Sequence, residues 1–511
     1  MFILLAILCS IVALGVVFIN RKLNYWQDLG VPQLHPTFPF GDFGPVIRRQ
    51  QSLPEFYRNV YYRTKHQPII GLYTFLKPTL LVNDLSLIND VLVNDFLHFH
   101  DHGLYVDEDR DPLSGHLFAL SGDRWRQIRN KVTPSFTPFK LKQMSEIQFK
   151  TAQKLRVYMD RFVKSRQPVE FYDLAVRYTM ESTVSILFGC DANCIENPED
   201  DFLRIGKMAV EPSFSNKVRW FLSFMAPDLI KVFRIKQFAA DLDRLILDVV
   251  HQSVNLRERQ RFVRKDVFQS ILQLRNSGLV QEGDSWEVDS SNKHKTLTVN
   301  QVAAVLFTFF IGGYETSSSL MAFCIYELSR KPEYQQKVQA EIDQVLEQPP
   351  VGVLTYDKII TMKYLECCVR ETLRLFPPLS FLNRICTKDY QIPNTNITIQ
   401  KGTNTIVPIF GIQRDPDIYS NPSNFDPERP ERLDDDKPFL SYGEGPRQCL
   451  GARMGKLQAM IGLATLLAEY DFRLADPADQ RRGARLDPKC FLAIPLGGVS
   501  VVVNRRTKLS D

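Results

Sequence analysis

A cysteine set among glycines is the feature of this chain best placed to do chemistry. The run Phe439-Leu440-Ser441-Tyr442-Gly443-Glu444-Gly445-Pro446-Arg447-Gln448-Cys449-Leu450-Gly451 puts Gly443, Gly445 and Gly451 around Cys449. Without Cβ atoms the backbone can turn tightly there and approach another group closely. Leu450 to Tyr470 follows with an amphipathic helical pattern. Cys449 therefore falls at a helix N-terminus, where free N–H groups and the positive dipole end favour a thiolate, the form that binds a metal. Arg447 adds positive charge two residues earlier. Taken alone, a Gly-x-Cys-x-Gly is better explained by a buried cysteine in a turn.

A second run with chemical potential is Gly312-Gly313-Tyr314-Glu315-Thr316-Ser317. It lies inside a stretch from Thr298 to Arg330 that reads as one helix, with Thr298 as cap and Pro332 as stop. That helix is apolar nearly all round, so it belongs in the interior, and it would run on the order of 50 Å. Each interior glycine costs about 1 kcal/mol against alanine. Close packing against a neighbouring helix would account for the glycines, and a core partner for the acid. A flat or bulky group lying against this turn, with Glu315 and Thr316 handling protons, accounts for both equally well. Elsewhere Glu371 and Arg374 stand one helical turn apart, a pairing usually found on exposed helices and worth tenths of a kcal/mol there.

Taken in order, these segments resemble the cytochrome P-450 family. The cysteine run is similar to its haem loop, Phe-x-x-Gly-x-x-x-Cys-x-Gly, with Tyr442 in the usual Phe place. Gly312 to Ser317 resembles its oxygen-activation motif. Glu371-Thr372-Leu373-Arg374 matches its Glu-x-x-Arg, Pro427-Glu428-Arg429 its Pro-Glu-Arg, and Trp125 with Arg129 its Trp-x-x-x-Arg. His100 to Gly103, Asp111 to Ser114, Phe376 to Leu379 and Asn383 to Cys386 resemble the insect microsomal branch related to the vertebrate drug-metabolising subfamily. The likeness spans essentially the whole chain.

The resemblance implies a haem-thiolate monooxygenase. It would insert one oxygen atom from O2 into a lipophilic substrate, as in xenobiotic, insecticide or hormone metabolism. The cofactor would be haem b, iron protoporphyrin IX, with Cys449 as metal ligand. Trp125, Arg129, Arg384 and Arg447 would hold its carboxylates, and Gly443, Gly445 and Gly451 would shape the loop. Thr316 and Glu315 would be catalytic, and Glu371, Arg374 and Arg429 would form a buried structural triad. Neither a flavin nor a nicotinamide fingerprint is present, so electrons would come from a separate NADPH-dependent flavoprotein reductase, with cytochrome b5 as a further donor. Arg124, Arg126, Lys131, Arg453 and Lys456 could form a basic docking face or simply a solvated one. Phe118, Phe214, Phe309, Phe310, Phe381 and Phe491 would line the pocket. Tyr442, Ser441, Pro430 and Gln413 depart from the family's usual residues. The same fold running isomerase or dehydratase chemistry, and a non-catalytic haem- or lipophile-binding membrane protein, are the alternatives; Glu315 and Thr316 argue against the first.

The elements that must position these residues follow from pattern. Residues 1–20 would be a membrane anchor: Met1 to Ile19 form an uncharged apolar run of about 28 Å as a helix, close to the bilayer core, with Arg21 and Lys22 just beyond. The positive-inside rule then puts the rest in the cytosol, on the endoplasmic reticulum membrane. A cleaved signal peptide would need a basic start and a small-residue cleavage site, and neither is present. Residues 21–45 are a Pro/Gly-rich linker that reads as a stiff, non-helical spacer. Residues 46–511 would be the catalytic domain, mostly α with a small β portion. Strand patterns occur at Ile69 to Val82, broken near Lys77-Pro78, and late at Ile397 to Ile399, Asn404 to Ile409 and Val499 to Val503. Gln281 to Lys295 is the longest polar loop.

The chain's 511 residues, 44% hydrophobic, provide ample apolar material for a large core. Its 35 phenylalanines suit that core, or an aromatic-lined cavity. A net charge of +5 without a dense basic run speaks against nucleic-acid binding. Nine scattered cysteines fit a reducing compartment, and none makes zinc spacing.

Overall fold

The computed structural model describes residues 2–210, 218–219, 222–223, 227–281, 283–288, 296–430 and 437–507. Phe214 and most of the loop from Gln281 to Lys295 lie outside them. The chain is mostly helical with small sheets, and it forms two compact units.

The first unit contains residues 1–103, 379–419 and 438–448. Its N-terminal helix, Phe2–Leu23, has no buried residue and is long and apolar enough to cross a membrane. Ile69–Thr74 and Lys77–Val82 form the expected hairpin, in register from Ile69 opposite Val82 to Thr74 opposite Lys77. Asn404–Val407 joins it in parallel, and Leu382–Ile385 completes a four-stranded sheet. This last strand has no alternating pattern in the sequence because it is largely half-buried. The Pro/Gly-rich segment is not a free spacer. Trp26 is fully buried, and its indole N–H donates to the Leu72 carbonyl (3.1 Å). A Cβ on Gly71 would lie 2.2 Å from the Trp26 ring, so glycine makes the room. Short helical turns form at Tyr25–Asp28 and Gly44–Ile47, where proline occupies a first-turn position that needs no N–H.

The second unit contains residues 104–378, 420–437 and 449–511. At its centre the expected long helix appears as two, Val299–Gly313 and Glu315–Arg330, with Tyr314 at the junction. The predicted cap forms a full capping box between Thr298 and Gln301, and Pro332 starts the next helix. The break has a local cause. Two glycines weaken the ladder, and the Thr316 hydroxyl takes the Gly312 carbonyl (2.7 Å). Glu315–Arg330 is buried on nearly every side and packs against Phe171–Phe188, Lys363–Leu375 and Ala452–Leu467. The helix after the cysteine runs from Ala452 to Leu467, shorter than the pattern to Tyr470 suggests. Tyr470 instead opens a strand, Tyr470–Leu474, that pairs antiparallel with Ser500–Arg505. Its inward Tyr470 and Phe472 alternate with more exposed residues, a period of two that the preceding helical pattern obscures.

Candidate active site

In the first unit, the stretch leading to the cysteine is shaped by Gly443 and Gly445, each with φ of +71°. At Gly445 a Cβ would lie 2.0 Å from the Leu92 carbonyl oxygen, so only glycine fits. Gln413 and Ser441, two of the departures, meet each other. The Gln413 side chain accepts from the Leu440 N–H (2.7 Å) and donates to the Ser441 hydroxyl (3.0 Å), fastening the start of the loop. Tyr442 is half-buried, with its ring edge-on to Phe439 at 6.2 Å. Arg447 is buried; its Nε donates to the His100 carbonyl (2.8 Å) and its guanidinium lies 3.7 Å from Asp101.

Arg384 is different. It is 2% exposed, and burial pulls its pKa down to about 10. Its Nη1 reaches the Asn383 carbonyl (2.9 Å) and the His102 ring (3.2 Å), neither of them an anion, and its Nε has no partner among the described residues. An ion left this way inside a protein costs several kcal/mol. The site calls for an anion to complete it.

In the second unit, Cys449 is accessible, yet the protein around it raises the thiol pKa by desolvation. The Gly451 N–H and the Arg129 charge act in the opposite direction. The regular helix begins at Ala452, and the N–H that reaches the sulfur belongs to its N-cap, Gly451. Trp125 and Arg129 are one turn apart on Gly122–Val132, with Trp125 buried and Arg129 partly so. Their neighbours Arg124, Arg126 and Lys131 are exposed, as is Arg453; Arg124 pairs with Glu108, and Lys456 with Glu366 (2.5 Å).

The broken helix presents one open stripe. Thr308, Gly312 and Thr316, spaced four apart, are partly or fully exposed, with Phe309, Ile311 and Gly313 partly exposed beside them. No described residue comes within 4 Å of a Cβ position on Gly312. Glu315 is on the buried side. It is 5% exposed, it accepts a hydrogen bond from the Tyr172 hydroxyl, and burial raises its pKa. The close approach of Gly455 to Ser317 (3.4 Å from a Cβ to Oγ) lets the cysteine helix lie against this one.

Glu371, Arg374 and Arg429 meet as a buried cluster in the same unit. Arg374 grips both carboxylate oxygens (2.8 Å each), and Arg429 Nε reaches the same two (3.1 Å each). Pro430 beside it is exposed.

Of the expected pocket aromatics, Phe310 is core. It is fully buried between Phe188, Phe307 and Tyr314. Phe381 packs on Tyr57 in the first unit's core. Phe118 and Phe309 are partly exposed, and Phe491 is 40% exposed. Thr308 belongs to no motif read from the sequence, although its spacing from Gly312 and Thr316 is a usable signal. Nor does Tyr172, for which the sequence holds no signal.

Within the second unit, an accessible sulfur with a guanidinium nearby and a helix face cleared by glycine fit a flat, metal-bearing group; within the first, the buried Arg384 guanidinium fits an anion. Comparison with known proteins agrees. The cytochrome P-450 family model matches residues 32–492, and the chain belongs to that family. Its relatives include probable cytochrome P-450 6d5 of Drosophila melanogaster, 37% identical over 92% of this chain and 93% of the relative. Cytochrome P-450 6d3 of Musca domestica is 34% identical over 99% of each chain. Cytochrome P-450 6j1 of Blattella germanica is 32% identical over 96% of this chain and 95% of its own. The protein is thus a cytochrome P-450 monooxygenase, an oxidoreductase whose cofactor is a cysteine-ligated haem.

Proposed function

We propose that Cys449 is the haem's thiolate ligand and that Arg384, Arg447, Arg129 and Trp125 hold its two carboxylates. Gly443, Gly445 and Gly451 keep the loop clear of side chains. The observation that carries this reading is Arg384, a buried cation that the described residues supply with no anion. When bound, the haem supplies activation of O2 by two electrons and two protons. This chain supplies the rest. The Thr316 hydroxyl, on the open stripe, orients water and oxygen. Glu315, whose raised pKa favours its protonated form, yields protons, a form of general acid catalysis. Glu371, Arg374 and Arg429 keep the surrounding core in place.

The substrate is lipophilic and of modest size, a toxin, steroid or fatty acid, received among aromatic side chains. Electrons come from an NADPH-dependent flavoprotein reductase, with cytochrome b5 as a second donor. The exposed Arg126, Lys131 and Arg453, with Arg124 and Lys456, give these acidic partners a basic face. Residues 1–20 anchor the chain in the endoplasmic reticulum membrane, residues 21–45 connect, and residues 46–511 work on the cytosolic side. The test is turnover with purified reductase, NADPH and 18-O-labelled O2 over a panel of apolar compounds that give type-I spectra. One labelled oxygen per product and salt-sensitive reduction are expected. Thr316→Ala should divert electrons to released peroxide. NADPH use that never yields labelled product would overturn the reading.

A further inference from the structure

Glu315 is a buried acid whose carboxyl is turned to Tyr172, on the first turn of Phe171–Phe188. None of the ion pairs found among the described residues includes Glu315, so no cation there holds it ionised. The titratable groups that bear on the pair are Tyr314, next along the chain, and Cys490. Arg177, one turn along from Asp173, is spent on that residue (2.5 Å). Tyr172 itself is only partly buried. One hydroxyl thus touches a buried acid, on a residue that is itself partly exposed. On the next residue of the same helix, Thr316 opens onto the stripe with Thr308 and Gly312.

We propose that Tyr172 is the solvent-side member of the proton path, passing protons from water to Glu315 for delivery on the face that carries Thr316. This rests on the reading of Glu315 and Thr316 given above. A hydronium or buffer acid in solvent supplies a proton through water to the Tyr172 oxygen as the hydroxyl's own proton passes to the nearer Glu315 oxygen. Glu315 releases a proton from its other oxygen. One proton crosses, both side chains end as they began, and no electron moves. Glu315 is a good intermediate carrier because desolvation brings its affinity for protons closer to that of the working medium. An acid salt-bridged to lysine or arginine would hold its charge and pass protons poorly.

The test is Tyr172→Phe, which deletes one oxygen and keeps the ring. In the haem-loaded protein, reductase-driven turnover should fall about tenfold or more, within the range general acid catalysis supplies. Its solvent deuterium isotope effect should rise, while turnover driven by added peroxide, which needs no delivered protons, should hold. Independently of activity, the infrared band of the protonated Glu315 carboxyl, identified by its loss in Glu315→Gln, should shift in Tyr172→Phe. Tyr172→His, with a ring nitrogen able to relay, should recover part of the rate, and it also serves if the phenylalanine variant loses haem. Wild-type turnover and isotope effect in Tyr172→Phe, with an unmoved carboxyl band, would overturn the proposal alone. If the wild type itself lacked reductase-driven turnover, the reading of the site would fall and take the proposal with it.

Discussion

Replacing Arg429 by alanine should damage this protein far from any chemistry. Arg429 is among the largest fully buried side chains, and its Nε bonds to both oxygens of Glu371. Its remaining nitrogens donate to the carbonyls of Ser420 (2.6 Å) and Asn424 (3.0 Å). Truncation leaves Glu371 with Arg374 and the Asp426 N–H (3.0 Å), strips two carbonyls of a donor and opens a cavity. Breaking a buried pair of this kind costs about 3–5 kcal/mol. Set against a total stability of about 5–15 kcal/mol, that is a large share. Glu371→Ala should cost more, since it leaves two guanidiniums facing each other with no anion between them. Lys363 and Glu366 have the same spacing in sequence, but Lys363 is 76% exposed, and Lys363→Ala should cost about 0–1 kcal/mol. Urea unfolding and haem content per chain measure all three. A loss below about 1 kcal/mol in Arg429→Ala, with normal haem content, would refute the claim that this cluster supports the core.

Three further outcomes are expected. Arg384→Ala should weaken haem retention by removing a charge-assisted contact of about 1.5–3 kcal/mol, while leaving the apoprotein no less stable, because the cation it deletes is uncompensated there; haem transfer to an acceptor and apoprotein melting measure the two effects. Gln413→Ala should loosen the cysteine loop by about 1–3 kcal/mol, because it orphans the buried Leu440 N–H, and hydrogen exchange at Leu440 should rise. Asp111, which caps the Gln237 N–H (2.6 Å), is pushed up to about 7 by burial and by the neighbouring charge of Asp243. A carboxyl raised in the folded state stabilises it fully below the unfolded value and loses that contribution as pH climbs through the folded one. Exchange around Gln237, taken relative to the intrinsic amide rate at each pH, should therefore grow between about pH 6 and 8 in the wild type and stay flat in Asp111→Asn.

Much of this fold was legible because its signals are local. The apolar N-terminal run, the hairpin over Ile69 to Val82 (its turn at Phe75-Leu76, with Lys77-Pro78 already in the second strand) and the capped helix at Thr298 each follow from a few neighbouring residues. The site was legible in part. Glu371 and Arg374 share a spacing with any surface pair, and only the resemblance supplied Arg429, 55 residues beyond Arg374, as their partner. What the sequence hid depends on distant partners. Gln413 and Ser441 looked like two separate departures, and their hydrogen bond makes them one adjustment. Phe310 sits beside the open stripe in sequence, but the helix turns it into the core. Tyr172 and Glu315 are 143 residues apart, and no pattern in either segment joins them.

The most direct measurement is X-ray absorption at the iron edge of the purified, haem-loaded protein, alongside the carbonyl difference spectra of wild type and Cys449→Ala. A single sulfur at about 2.3 Å from iron, near the usual metal–thiolate length, and a red-shifted carbonyl band that disappears in Cys449→Ala are predicted. A first shell of nitrogen alone, or an unchanged carbonyl band in Cys449→Ala, would contradict the account.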